Sequence, residues 1–170
     1  SGLITADALR IESAGDVTLD TDISAVAAVT DGGNITLTNT GALEIGTFSA
    51  LTIERELALP SGAATVVVDA ALSGVRTDGE VNISGSTQGA RGDITITTAA
   101  STALTNAVTD GAAFIGDVLT LTAHAIDALN IDVNEVSASA DSGDISLTQT
   151  AGFDGSLRAL TLTSLTASDS

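Results

Sequence analysis

The stretch GDITIT, Gly92 to Thr97, decides how this chain folds. Near-copies run along the sequence: GDVTLD at 15–20, GNITLT at 33–38, GEVNIS at 79–84, GDVLTLT at 116–122 and GDISLT at 143–148. Each opens with a glycine and a small polar or acidic residue, then alternates apolar side chains with mostly hydroxyl or other polar ones. Successive side chains of a strand point to opposite faces, so Ile94 and Ile96 share one face and Thr95 and Thr97 the other. Thr beside Ile and Val is what a half-solvated β surface selects. The glycine reads as a corner residue free to take positive φ, and the acid as the first residue of the next strand.

Working outward, the same alternation gives Leu9/Ile11, Val17/Leu19, Ile35/Leu37, Leu43/Ile45, Leu51/Ile53, Val66/Val68, Val81/Ile83, Leu119/Leu121, Leu129/Ile131, Ile145/Leu147 and Leu160/Leu162. Tight-turn words such as Asp31-Gly32-Gly33-Asn34, Asp110-Gly111 and Ser142-Gly143-Asp144 stand between them. Several pairs follow one another at a step near eight. With two to three strands per turn this predicts a coil of roughly 20 to 25 residues, a repeat length typical of solenoids. Seven or eight such coils, stacked about 4.8 Å apart, would make a rod about 35 Å long. The expected fold is all-β: a parallel β-helix, or β-solenoid, of short strands with Gly/Asp/Asn turns. The alternative is a β-sandwich.

Composition fits a narrow interior. Apolar residues make up 44% of the 170, yet there are three Phe and no Trp, Tyr, Met or Cys. A sandwich of this length would fill the space between its sheets with more aromatic rings. Five Arg and no Lys against 22 acids give a net charge of −17. No basic patch can be assembled from that, so nucleic acid and anionic membranes are not expected partners. No apolar run is long enough for a transmembrane helix. The absence of cysteine excludes disulfides and thiolate metal sites.

Two Ala-rich segments, 22–30 and 101–114, break the alternation and are expected to be short helical turns or loops. Pro60 marks a loop between Leu59 and Val66. No domain boundary is visible, so residues 1–170 read as a single β-solenoid segment, and the opening SGLIT suggests a piece of a longer chain.

The GDITLT-like strands, separated by short Asp/Gly/Asn turns in a Thr-, Ala- and Gly-rich chain, resemble the repeats of filamentous-haemagglutinin-type proteins. The resemblance covers nearly the whole chain. It implies a right-handed parallel β-helix, secretion or display at a bacterial cell surface, and a structural or adhesive role as rod, stalk or filament. Expected partners are like segments or neighbouring coils end to end, because a solenoid cut from its neighbours exposes unpaired edges. A cell-surface receptor or glycan is a further expected partner.

Chemistry-bearing residues are sparse. The single histidine, His124, reads as a surface residue, and nothing resembles a nucleophile elbow. Paired acids of a polysaccharide-active β-helix enzyme are the alternative. Aromatic platforms and basic residues to go with them are lacking, so no catalytic residues are assigned and no enzyme is expected. No cofactor is expected either, with Ca²⁺ the one possible exception. Its candidate ligands, Asp31, Asp78, Asp141 and Asp144, sit at glycine turns and supply hard oxygens, though without EF-hand spacing. Arg91-Gly92-Asp93 spells a tripeptide used by some host-binding adhesins and is the adhesion candidate. Thr-x-Thr words at 36–38, 95–97, 120–122, 148–150 and 161–163 suggest an ice-binding face, although their spacing is uneven.

Overall fold

The structure, a computed structural model, describes residues 2–49, 51–55, 64–69, 71–77, 91–150 and 159–167, with side chains left undescribed in 51–55 and 64–69. Its strands are β1 (Ile4–Ser13), β2 (Val17–Thr30), β3 (Ile35–Asn39), β4 (Leu43–Ile45), β5 (Thr47–Phe48), β6 (Leu51–Arg55), β7 (Ala64–Asp69), β8 (Leu72–Ser73) and β9 (Val75–Arg76). The series continues with β10 (Ile94–Thr98), β11 (Ala103–Asn106), β12 (Phe114–Ile115), β13 (Val118–Ala123), β14 (Ala125–Asp132), β15 (Glu135–Ala140), β16 (Ile145–Gln149) and β17 (Thr161–Ala167). Among the described residues there is no helix.

Thirteen strands join one sheet, and every pairing within it is parallel. Three stacks can be followed through it. The first runs from the start of β2 through β3, β10, β13 and β15 to β17. The second runs from the middle of β2 through β4, β11 and β14 to β16. The third joins the end of β2 to β9, β12 and the end of β14. β1 lies along β2 on its other side, from Ile4 opposite Thr21 to Ser13 opposite Thr30. Parallel strands that return in the same order, layer after layer, are compatible with a β-helix. They exclude the antiparallel neighbours that a sandwich would need.

The shortest step from one layer to the next is 17 or 18 residues, below the range that pair spacing suggested. Steps of 25 and 59 also occur. In the longest of these the chain leaves the stack through two antiparallel pairs, β5 with β8 and β6 with β7. Leu51/Ile53 and Val66/Val68 therefore belong to strands, as expected, but to a hairpin outside the large sheet. GDISLT also departs from its near-copies, since β16 stacks on β14 in the second column and not on β15. GEVNIS, Pro60 and Phe153 lie outside the described residues.

The interior is a set of aliphatic ladders. Ile35, Ile94, Leu119 and Val136 are opposed in turn, as are Leu37, Ile96, Leu121 and Ala138. All are buried. In the third stack Val75, Phe114 and Ile131 meet in register, and Phe114 is the largest fully buried side chain among the described residues. Residues 22–30, expected as a helical turn or loop, are strand. Their alternation fails for a physical reason: Val26 and Ala28 face the core while Ala27 and Val29 pack outward against Leu72 and Phe48. Both faces are covered, so neither needs polar residues. In 101–114 the chain forms β11 and enters β12, and only 107–113 between them is the expected loop.

One buried polar residue fixes a corner between the first two stacks. Asn39 accepts at Oδ1 from Thr21 Oγ1 (2.9 Å) and from the Ile23 amide (3.0 Å). Its Nδ2 donates to the carbonyls of Ile23 (3.0 Å), Gly41 (2.9 Å) and Ala42 (3.3 Å). The bend thus satisfies its polar groups without water.

Candidate functional site

The repeated Gly-Asp or Gly-Asn word forms a column of its own where layers stack. Asp16 Oδ1 accepts from the Asn34 amide (2.8 Å), and Asn34 Oδ1 from the Asp93 amide (2.8 Å). Asp93 Oδ1 accepts from the Val118 amide (3.3 Å), and Asn134 Nδ2 donates to Asp117 Oδ1 (2.7 Å). Each side chain holds the next layer, which is why acid or amide recurs at this position. Neutral Asn34 between Asp16 and Asp93 keeps those two carboxylates two layers apart, about 10 Å, near the screening length in salt.

The glycines of this column have a different role from the one read in the sequence. Gly15, Gly33, Gly92 and Gly116 do not have positive φ; among these words only Gly143 does, at +91°. What they need is room. A Cβ on Gly33 would lie 2.3 Å from the Gly15 carbonyl carbon, and one on Gly92 would lie 2.5 Å from the Gly33 oxygen. The backbones of successive corners touch.

Arg91, first residue of the adhesion candidate, turns into the protein. Its Nη1 donates to the Asp132 carbonyl (2.9 Å) and its Nη2 to Asp132 Oδ2 (2.8 Å), with the two side chains only 5% and 1% exposed. Gly92 donates its amide to Thr77 Oγ1 (3.1 Å) and is buried. Asp93 is exposed but engaged with Val118. All three residues of the tripeptide therefore have partners within the stack.

The Ca²⁺ candidates are spread out. Asp31 is exposed at the end of β2, and Asp141 and Asp144 are exposed on either side of the Ser142–Gly143 turn. Asp141 Oδ1 lies 2.7 Å from His124 Nδ1 in the next layer, so the lone histidine is half-exposed and joined to an acid. Asp78 lies outside the described residues. Among the described residues no three His or carboxylate side chains converge as a metal site would require. The DVNE run at 132–135, also acidic, divides three ways. Asp132 pairs with Arg91, Asn134 with Asp117, and Glu135 accepts from Thr163 Oγ1 at 2.6 Å.

The outer face of the first stack brings hydroxyls into register. Thr18, Thr36, Thr95, Thr120, Ser137 and Ser164 follow one another through six layers. Beside them run Asp20, Thr38, Thr97, Thr122, Ser139 and Thr166. The uneven sequence spacing of the first three Thr-x-Thr words disappears in space, because the extra residues leave between strands. Thr148 and Thr150 belong to a different column; Thr150 donates to the Ile131 carbonyl (3.2 Å).

Sequence reasoning missed the Arg91–Asp132 pair and the role of Asn39. Arg91 and Asp132 are 41 positions apart, and no local pattern links them. Nothing in the local sequence sets Asn39 apart from its neighbours.

No protein-family model, curated protein or solved structure matches this chain.

Proposed function

We propose that this chain is a structural or adhesive segment of a large exported bacterial surface protein, built as a right-handed parallel β-helix of the filamentous-haemagglutinin type. One observation carries this reading. The polar groups with chemical potential, Arg91, Asp132, Asp16, Asn34, Asp93 and Asp117, are engaged in joining one layer to the next. Side chains that tie one layer to the next in this way suit a protein that holds distance and shape. Immunogold labelling of intact source cells, with antibodies raised to the purified chain, tests this reading. Label on the surface of unbroken cells is expected; label only after lysis would refute it.

The double hydroxyl column favours a second reading, a face for an ordered lattice of water. Regularly spaced Thr hydroxyls and methyls on a parallel sheet can order water at the spacing of the layers. Ice recrystallisation assays on the wild type and on Thr95→Lys/Thr120→Lys decide it: inhibition abolished by the substitutions supports it, and no inhibition by the wild type removes it.

A further inference from the structure

We infer that the loop joining β11 to β12 carries a self-modification site, Asp110-Gly111, at which aspartate isomerises to isoaspartate in the folded protein. The pentapeptide Ala-Val-Thr-Asp-Gly occurs twice, at 28–32 and at 107–111. Sequence up to the glycine is therefore identical, and the fold is what distinguishes these two Asp-Gly pairs. Glycine is the neighbour that lets this reaction proceed, because no side chain shields its nitrogen. Both glycines even share a positive φ, +76° at Gly32 and +86° at Gly111.

The first copy is clamped between layers. β2 ends at Thr30, which is buried and donates through Oγ1 to the Gly33 carbonyl. Asp31 N–H donates to the Ser13 carbonyl of β1 (3.2 Å), and Gly32 N–H to the Thr77 carbonyl (2.8 Å). The second copy has the same residues in a loop. That loop is tied at Ala107 N–H to the Ile45 carbonyl (2.9 Å), at Val108 N–H to Asn106 Oδ1 (2.9 Å) and at Ala113 N–H to the Asn130 carbonyl (2.7 Å). Between these ties Thr109, Asp110 and Gly111 are exposed, and a Cβ on Gly111 would meet nothing within 4 Å. Among the described residues, neither Asp110 nor the Gly111 amide has a hydrogen-bond partner.

The reaction needs only that freedom and water. The Gly111 nitrogen bonds to Cγ of Asp110 and gives up its proton, while the carboxyl loses one oxygen as water, which leaves a cyclic imide. Water then reopens the ring. Attack at the former side-chain carbonyl restores aspartate. Attack at the main-chain carbonyl leaves the chain running through Cβ and Cγ, with a free α-carboxylate. One water leaves and one enters, so mass and charge are unchanged. Gly32 cannot make the same attack without first breaking its bond to Thr77 and turning out of the stack. The product lengthens the main chain by one methylene between the ties at Val108 and Ala113, so the layers on either side keep their pairing.

Storage of the purified chain for weeks at neutral pH and body temperature, in buffer and in urea, tests the site. Digestion with endoproteinase Asp-N, which does not cut before isoaspartate, and electron-transfer fragmentation read each aspartate separately. In buffer, isoaspartate should build up at Asp110 and exceed that at Asp31 by about tenfold, the effect of the two ordinary hydrogen bonds that the first copy must break. In urea the two should react at similar rates, because the pentapeptide is the same. Circular dichroism of the protein stored in buffer should match that of fresh protein. The proposal is overturned by no build-up at Asp110 in buffer, by equal build-up at Asp31, by an excess at Asp110 that persists in urea, or by loss of the fold in step with isoaspartate.

Discussion

Adding one methyl group to the corner column measures how tightly the layers are held. In Gly33→Ala the new Cβ would meet the Gly15 carbonyl carbon at 2.3 Å, its oxygen at 2.6 Å and the Asp16 nitrogen at 2.7 Å. An ordinary contact begins at 3.4 Å, so the backbones must separate by about 1 Å. Two hydrogen bonds cross that gap, Val17 N–H to the Asn34 carbonyl and Asn34 N–H to Asp16 Oδ1, both at 2.8 Å. Stretched by that amount they pass the hydrogen-bond limit. Losing both costs about 2–3 kcal/mol, and overpacking without separation costs about 1–3 kcal/mol, so either route is expensive. Stiffening of the unfolded chain by alanine returns about 0.4–1 kcal/mol. The net expected loss is about 2 kcal/mol.

Gly15→Ala is the internal control, because nothing lies within 4 Å of its Cβ. It should be neutral or slightly stabilising. Gly116→Ala falls between, with a Cβ 3.0 Å from the flexible end of Ile94 and 3.1 Å from the Gly92 oxygen. Urea unfolding followed by circular dichroism reads the series. With a slope near 2 kcal/mol per molar, the midpoint of Gly33→Ala should fall by about 1 M, that of Gly92→Ala similarly, and that of Gly116→Ala by less. Midpoints for Gly33→Ala and Gly92→Ala within about 0.2 M of Gly15→Ala would refute the close-approach account of the repeat.

Other substitutions probe the remaining joints by the same unfolding assay. Arg91→Ala removes two contacts from buried Asp132 and should cost about 3 kcal/mol, with Arg91→Lys recovering only part because an ammonium cannot reproduce the fork. Asn39→Ala strands the Ile23 amide and several carbonyls at a buried bend and should cost about 2–3 kcal/mol. Phe114→Ala opens a cavity between Val75 and Ile131 and should cost about 3–5 kcal/mol.

Strands were legible in the sequence because period-2 alternation is local: Ile94 and Ile96 face inward whatever lies above them. The layer step was not. Counting from pair to pair mixes strands of one layer with strands of an excursion, as happened where Leu51 followed Leu43. The Ala-rich run at 22–30 was opaque because Leu72 and Phe48 cover its outer face, and those residues are distant in sequence. The Gly-Asp word was recognised, but its cause was not. Turn chemistry predicts positive φ from a glycine, whereas contact between Gly33 and Gly15 exists only once two layers are stacked. For the same reason Arg91 looked like half of a surface motif until Asp132 was beside it.

The acidity of the chain takes on a direction once the layers are in place. Asp132 is the only buried acid among the residues whose side chains are described, and the column acids Asp16, Asp93 and Asp117 border the long sides of the stack. A net charge of −17 spread along the sides opposes side-by-side contact between copies. β16 and β17, by contrast, carry no charge, and β17 presents Leu162 and Leu165.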